Sequence, residues 1–238
     1  MSRSRLITAL DVKSPAEMKT LVDTLGESVS FYKVGMELFY SAGTLPLDYL
    51  KTHKKHVFLD LKLHDIPNTV AQAVAALTRL GADLLSVHTQ GGREMMQAAA
   101  RSAQTTAAEL GIERPRLVGI TALTSFSETG WEEIGGTVPI VTHVEKLALL
   151  AKESGLDGVV CSPQEAARLR ALLGPDFLLV TPGVRPAFAS PDDQERIMTP
   201  KDALTAGSSY LVIGRPITKA DDPKAAAQAI IAEMEESK

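Results

Sequence analysis

Short apolar segments alternate with longer amphipathic segments along the whole chain. Eight short segments are rich in β-branched residues and apolar on both faces, and they cover residues 6–10, 31–34, 57–61, 84–87, 117–120, 158–160, 177–180 and 210–213. Strands of this kind are typical of a parallel sheet that is covered by helices. The pattern therefore predicts eight buried parallel strands.

The longer segments between these strands have the pattern of helices. They cover residues 15–25, 69–80, 93–109, 142–154, 163–172 and 223–236. Pro15 and Pro163 each follow a serine, which is the order of an N-cap and a first helical residue. The strand–helix order repeats without a linker, so we expect one domain over residues 1–238, folded as a (β/α)8 TIM barrel. The lack of a Gly-x-Gly-x-x-Gly turn after the first strand disfavours a dinucleotide-binding sheet.

Composition narrows the possible functions. The chain has 238 residues and a formal net charge of −4, with charges of both signs mixed along it. This balance gives no reason to expect a nucleic-acid-binding surface or a membrane anchor. No stretch is apolar enough for a membrane span or a signal peptide, so we expect a cytoplasmic protein. The single cysteine, Cys161, excludes an intramolecular disulfide and lies in an apolar run, so we expect a buried, inert thiol.

The third strand carries charges at its carboxyl end, in the run VFLDLKLHD of residues 57–65. Side chains two residues apart on a strand point to the same face, so Asp60 and Lys62 share one face. Active sites of these barrels lie at the carboxyl ends of the strands. The alternative is a structural ion pair, but a buried pair is costly, and Asp65 adds a third charge just beyond it. We therefore expect these three residues to form a catalytic cluster.

Two preceding strands carry charges at equivalent places. Lys33 lies in the second strand, and Asp11 follows the first. Successive strand ends of a barrel surround one mouth, so Asp11, Lys33, Asp60 and Lys62 should face the same space. Any one of them could be an ordinary surface charge, whereas four on successive strands favour a functional site.

The last two strands are followed by segments suited to an anion. Residues 181–186 (TPGVRP) follow the seventh strand, and residues 214–216 (GRP) follow the eighth. Loops at these two places often bind phosphate, because glycine lets backbone N–H groups approach and arginine adds a planar cation. Gly214 alone could be an ordinary tight turn, but its place beside Arg215 favours phosphate binding.

These motifs resemble those of the orotidine 5′-monophosphate decarboxylase family, in its compact bacterial form. The match covers nearly the whole chain, and the run DLKLHDIPNT of residues 60–69 is highly specific. The other matching stretches are Ala9-Leu10-Asp11, Tyr32-Lys33-Val34-Gly35, Leu123-Thr124-Ser125, Thr181-Pro182-Gly183-Val184-Arg185 and Ile213-Gly214-Arg215-Pro216. The resemblance implies decarboxylation of orotidine 5′-monophosphate to uridine 5′-monophosphate in pyrimidine biosynthesis, with no metal and no cofactor.

The resemblance also assigns roles within the charged cluster. Lys62 is similar to the lysine that protonates C6 of the pyrimidine after carbon dioxide leaves. Asp60 is similar to the carboxylate placed beside the substrate carboxylate. Asp65 resembles an aspartate that reaches into the neighbouring subunit's site, accompanied by Ile66 and Thr69. The resemblance therefore implies a homodimer.

Further residues are implied as substrate contacts. Lys33 and Asp11 are similar to residues that contact the ribose and brace the charges. Thr124 resembles a hydroxyl residue near the pyrimidine ring, with Ser125 as the alternative. The remaining implied contacts, mostly to phosphate and its loop, are Pro182, Arg185, Gln194, Gly214 and Arg215. The polar segment 187–201 is long enough to predict a functional loop, and its part around Gln194 is the candidate lid.

Two other functions remain open from the sequence. One is a magnesium-dependent sugar-phosphate decarboxylase or aldolase of the same barrel group, which shares the Asp-x-Lys-x-x-Asp signature but has an acidic residue near the place of Lys33. Lysine at that place disfavours a metal. The other is a barrel that binds a nucleotide without catalysis. His88 ends the fourth strand, where it either lines the mouth or packs in the core.

Overall fold

Eight parallel strands close into a barrel in the computed structural model, which describes residues 2–186 and 198–236. Each strand pairs with its neighbours in chain order, and β8 pairs with β1. The strands are β1 (Leu6–Ala9), β2 (Phe31–Gly35), β3 (His56–Leu63), β4 (Leu84–His88), β5 (Arg116–Ile120), β6 (Gly158–Val160), β7 (Leu178–Pro182) and β8 (Tyr210–Ile213). The TIM-barrel prediction is confirmed.

Helices follow every strand and cover the outside of the barrel. They are α1 (Pro15–Leu25), α2 (Met36–Ala42), α3 (Leu45–Thr52), α4 (Pro67–Arg79), α5 (Gly92–Leu110), α6 (Glu128–Glu133), α7 (Ile140–Glu153), α8 (Ala166–Leu173), α9 (Pro200–Thr205), α10 (Arg215–Thr218) and α11 (Pro223–Glu235). The pattern of the sequence did not predict α2, α3, α6, α9 or α10. Each of these has eight residues or fewer, which is too short for a periodic apolar face to stand out. In the described part of the chain, no helix is both long and apolar enough to cross a membrane.

Caps fix the ends of several helices where the sequence suggested them. The Ser14 hydroxyl accepts a hydrogen bond from the N–H of Glu17, and Pro15 is the first residue of α1. Ser162 precedes Pro163 in a capping box, in which the Ser162 N–H donates to the Glu165 carboxylate at 2.8 Å. Such caps satisfy N–H groups that have no partner within the helix.

Two apolar layers hold the fold together. The larger layer lies between the strands and the helices, and the smaller one fills the barrel itself with Ile7, Ala9, Phe31, Phe58, Leu84, Val118, Val180 and Val212. Side chains alternate between the two faces of a strand. The residues two and four positions after each of these interior residues therefore also point into the barrel. This packed interior fills the barrel toward the amino ends of the strands. The carboxyl ends of the strands are left to surround an open mouth.

Cys161 lies just after β6 and is fully buried in the larger layer. Burial, together with the nearby Glu165 carboxylate, raises the pKa of its thiol to about 12. The side chain therefore stays a protonated thiol at neutral pH, and a thiol of this kind is a poor nucleophile. The expectation of a buried, inert cysteine agrees with this environment.

Candidate active site

The carboxyl end of β3 departs from regular strand geometry where the charges lie. Leu59 pairs with Leu85 and Leu63 pairs with Val87. Between these two pairs, β3 advances by four residues and β4 by only two, which is a bulge in β3. Lys62 lies within this bulge with φ 52°, in the left-handed region that residues other than glycine rarely adopt. The bulge is therefore the local feature that aims Lys62 into the mouth.

Asp60 is the centre of the charged cluster. Its Oδ2 accepts a hydrogen bond from Lys62 Nζ at 2.8 Å and lies 3.9 Å from Lys33 Nζ. Its Oδ1 accepts a hydrogen bond from the Ser86 hydroxyl at 2.9 Å. The Asp60 side chain is only 12% exposed. A carboxylate this far from water needs such partners, and here two cations and a hydroxyl supply them.

Lys33 links Asp60 to the first strand. Its Nζ donates to Asp11 Oδ1 at 2.9 Å, and the Lys33 side chain is 12% exposed against 56% for Asp11. Gly35 leaves the room that the ammonium occupies, because a Cβ at Gly35 would lie 2.9 Å from Lys33 Nζ. Asp11, Lys33, Asp60 and Lys62 thus form a charged row in which each charge lies next to one of opposite sign.

The residues after β3 lie away from this row. Asp65, Ile66 and Thr69 are all exposed, and 65% of the Ile66 surface faces solvent. Asp65 Oδ1 accepts a hydrogen bond from the Ile66 N–H at 2.7 Å. In the described part of the chain, no ion pair joins Asp65 to Lys33 or Lys62. One copy of the chain therefore leaves Asp65 at the rim of its own mouth.

Two residues of β4 complete the cluster and were not assigned to it from the sequence. Ser86 bonds Asp60 and also accepts the N–H of Lys62 at 2.9 Å, so it fixes both the side chain and the bulge. His88 points inward two residues later, and its ring stacks on His64 with 5.2 Å between centroids. The signal for both was their polar character at alternate positions of an apolar strand.

Burial lowers the pKa of His88, and the nearby His64 and Lys62 lower it further, against a smaller opposing effect of Asp60. The imidazole is therefore neutral at neutral pH. His88 follows Ser86 by two residues on β4, and Ser86 bonds both Asp60 and the N–H of Lys62, so His88 lies beside the charged row and lines the mouth. Among the described residues, its buried Nδ1 atom has no hydrogen-bond partner.

The predicted anion contacts lie around the other side of the mouth. Pro182 ends β7, and the buried Arg185 that follows donates its N–H to the Met198 carbonyl at 3.1 Å. Gly214 lies beside the charged row, since a Cβ there would be 3.6 Å from Asp11 Oδ2. Arg215 follows as the exposed first residue of α10.

The remaining predicted contacts lie farther from these residues or outside the described chain. Thr124 and Ser125 are exposed in the segment between β5 and α6. Gln194 and most of the candidate lid lie outside the described residues. Within residues 2–186 and 198–236, no three His, Cys, Asp or Glu side chains come together in a way that could hold a metal ion.

Comparison with known proteins extends this description. Residues 4–230 match the model of the family described as Orotidine 5'-phosphate decarboxylase / HUMPS. The chain is 50% identical over 233 residues to a protein from Trichlorobacter lovleyi named Orotidine 5'-phosphate decarboxylase, covering 98% of this chain and 96% of that protein. A protein of the same name from Moorella thermoacetica is 49% identical over 235 residues, covering 98% of this chain and 93% of that protein.

A solved structure gives the same picture. The structure of Orotidine 5'-phosphate decarboxylase from Lactobacillus acidophilus superimposes with a TM-score of 0.87 at 42% identity, covering 97% of this chain and 99% of that one. The matched range of residues 4–230 includes the charged row and both anion segments. The chain belongs to the Orotidine 5'-phosphate decarboxylase / HUMPS family.

Proposed function

We propose that this chain decarboxylates orotidine 5′-monophosphate to uridine 5′-monophosphate, a step of pyrimidine biosynthesis. The names of its close relatives support this activity within a family whose description also includes HUMPS. The observation that carries the proposal is the contact of 2.8 Å between Lys62 Nζ and Asp60 Oδ2, beside the Lys33 ammonium. This arrangement holds a cation and a carboxylate where a carboxylated pyrimidine ring would meet the strand ends.

The reaction breaks the bond between C6 and the substrate carboxylate. The bonding electron pair stays on C6 while carbon dioxide leaves, so negative charge develops at that carbon. A preformed ammonium stabilises this charge more than it stabilises the starting carboxylate complex, which is the condition for catalysis. Lys62 then gives a proton to C6 and regains one from solvent.

Asp60 acts in two ways in this proposal. It anchors the Lys62 ammonium, so the proton donor does not have to be ordered when the substrate binds. It also places a negative charge beside the substrate carboxylate, and that repulsion weakens as carbon dioxide departs. Ser86 contributes by holding Oδ1, which leaves Oδ2 to face the two lysines.

Lys33 favours this activity over the magnesium-dependent alternative. Its Nζ lies between two carboxylates, 2.9 Å from Asp11 Oδ1 and 3.9 Å from Asp60 Oδ2. A hard cation would need oxygen ligands directed at that position, where the chain instead supplies its own positive charge. We therefore expect turnover to survive a chelator.

Phosphate binding by Arg185, Gly214 and Arg215 supplies the affinity in this proposal. These residues follow β7 and β8, where barrels of this type often hold phosphate, and glycine before arginine offers both backbone N–H groups and a cation. Binding energy from a group remote from C6 can be used to orient the ring at Lys62. Thr124 or Ser125 is proposed to contact the pyrimidine ring.

A second copy of the chain is proposed to complete each site with Asp65. Asp65, Ile66 and Thr69 lie exposed at the rim, so they are accessible to a second copy of the chain, as the resemblance implies. Asp65 from the partner would extend the alternation of charge past Lys62. The expected cytoplasmic location stays a prediction from the sequence.

The activity is tested by following the loss of orotidine 5′-monophosphate absorbance, with and without a chelator. Lys62→Ala should lower kcat more than about 10⁴-fold, because both charge stabilisation and proton delivery are lost, while nucleotide binding stays measurable. Lys54→Ala is the matched control, since Lys54 is an exposed lysine with φ 55° and belongs to no site. Normal turnover by Lys62→Ala would refute the mechanism, and loss of turnover with the chelator would favour the magnesium alternative.

The shared site is tested by mixing two inactive variants, Lys62→Ala and Asp65→Ala, under conditions that exchange subunits. One of the two sites in each mixed dimer then has every residue intact, so random pairing should restore about a quarter of the wild-type activity. A mixture of Lys62→Ala with Asp60→Ala is the control, because both residues serve the same chain's site and no intact site forms. Failure of the first mixture to regain activity would overturn the shared site.

A further inference from the structure

His88 occupies an inward position that the proposed reaction does not yet use. The inward side chains of β4 are Leu84 in the packed interior, then Ser86 on Asp60, then His88 at the level of the mouth. The next strand places Ile120 at its inward end, two residues after the interior residue Val118. His88 therefore lies between the charged row and the apolar inward residues of the following strands, which begin with Ile120.

Hydrogen bonding does not explain why an imidazole lies there. In the described part of the chain, Nδ1 is buried without a hydrogen-bond partner, which is an unfavourable environment for a polar nitrogen. What holds the ring is packing: it stacks on His64 at an interplanar angle of 28°. Its burial and its neighbours also keep the ring uncharged, since the pKa of His88 lies below the ordinary value for histidine.

A ring at this place would restrict the position of the Lys62 side chain. A lysine side chain has four rotatable carbons, and only its tip is tied, by the bond to Asp60. The backbone of Lys62 leaves the bulge with φ 52°, so the stem starts in a direction that no regular strand would give it. Side chains beside the stem must therefore limit where the ammonium can go.

We propose that His88, backed by His64, is a positioning residue for Lys62: its ring forms the wall that keeps the ammonium on Asp60 and out of the apolar side of the mouth. The inference rests on the proposed function, because the position of the ammonium matters only if it serves C6. Among the described residues, the ring stacks on His64, and Lys62 and Asp60 are the charged groups near enough to affect its pKa. A cation in place of the ring would repel Lys62. A ring without nitrogen, by contrast, would fill the same space.

Three variants test by steady-state kinetics whether the His88 ring positions Lys62. His88→Ala should lower kcat by roughly ten- to a hundredfold, the usual penalty for a misplaced catalytic group, with KM nearly unchanged because phosphate binding is remote. His88→Phe keeps a stacking ring and should restore most of the lost kcat. His143→Ala is the matched control, because His143 also packs on an aromatic ring, that of Trp131, and burial also lowers its pKa.

A second measurement does not depend on turnover. Reductive methylation of Lys62, followed by peptide mass spectrometry, should be faster in His88→Ala than in the wild type and should return toward the wild-type rate in His88→Phe. If the wild type does not decarboxylate the nucleotide, the proposed function fails, and this rate still decides whether His88 positions Lys62.

The inference is overturned by any of three results. In the first, His88→Ala retains the wild-type kcat, or loses activity only in proportion to its unfolded fraction in a thermal melt. In the second, His88→Phe is as slow as His88→Ala, which would assign the role to a ring nitrogen. In the third, Lys62 methylates at the same rate in all variants.

Discussion

The two halves of the barrel mouth differ in the side chains that they present at the inward strand ends. The half formed by β1 to β4 presents charged or polar side chains, namely Asp11 just after β1 and Lys33, Asp60, Lys62, Ser86 and His88 on β2 to β4. The half formed by β5 to β8 presents Ile120, Val160, Pro182 and Gly214 at the corresponding places. We call these the charged half and the apolar half.

In the proposed function, this difference separates the groups that act on C6 from those that bind the phosphate. In the charged half, Lys33, Asp60 and Lys62 each contact another charged side chain of the same half, so the position of each depends on its neighbours. In the apolar half, the strand ends offer surface and backbone, and the cations Arg185 and Arg215 come from the segments beyond. Substitutions in the first half should therefore change kcat, whereas those in the second should change KM.

The largest effect expected within the charged half, after loss of Lys62 itself, is that of Asp60→Asn. An amide keeps the size of the side chain but leaves Lys33 and Lys62 without the carboxylate between them, so kcat should fall about 10³-fold. Steady-state kinetics measure the change, and Asp48→Asn, at an exposed carboxylate of α3, is the control. A variant that changed KM alone would contradict the division between the halves.

Ser86→Ala should have the next largest effect. It removes the bond to Asp60 and the acceptor for the Lys62 N–H, so we expect a loss of about 1–2 kcal/mol in unfolding free energy and about tenfold in kcat. Urea unfolding and kinetics measure the two changes. Ser154→Ala is the control, because the buried Ser154 bonds only within its own helix region and should affect stability alone. An unchanged kcat would show that Ser86 is structural.

A pair of glycines allows the halves to be compared with the same substitution. A methyl group at Gly35 would lie 2.9 Å from Lys33 Nζ and must displace it, whereas one at Gly214 would meet Ala9 Cβ at an ordinary 3.4 Å. Gly35→Ala should therefore lower kcat a few-fold, and Gly214→Ala should leave kcat close to the wild-type value. Equal effects on kcat would mean that the charged row tolerates displacement of Lys33.

The smallest effect concerns a carboxylate outside the charged half. Burial raises the pKa of Glu165, so folding favours its protonated form, and the stability linked to that proton is lost as the pH rises through the raised pKa. Glutamine can still accept the Ser162 N–H in the capping box. Glu165→Gln should therefore gain up to about 1 kcal/mol in unfolding free energy at neutral pH and nothing at a pH where glutamate is protonated. Unfolding curves of both proteins at several pH values measure this gain. A gain that did not increase with pH would contradict the prediction.

The sequence predicted the barrel and the charged row because both follow from alternation. Parallel strands need apolar residues on both faces, so a charge at a strand end stands out, as Asp60 and Lys33 do. Alternation also suggested that Lys62 shares a face with Asp60, and the two side chains do meet. The backbone route differs, since a bulge and a left-handed residue bring them together rather than a regular strand.

Other features could not be predicted from a single sequence. The pairing of Ser86 with Asp60 depends on the register of β4 against a bulged strand, and nothing in the order of residues sets that register. His88 was visible as a polar residue in an apolar strand, but its stacking on His64 required the path of the chain after β3. The proposed place of Asp65 in the site of a second copy rests on the resemblance and not on a contact within one chain.

The left-handed backbone of Lys62 also has an evolutionary consequence. Lysine at φ 52° carries a conformational cost of roughly 1–2 kcal/mol that glycine at the same position would avoid. A population of variants selected only to resist heat would therefore drift away from lysine at this position, and one selected for growth without pyrimidines would return to it. In the proposed reaction, the residue that gives the proton is therefore held in place by selection, against the preference of its own backbone.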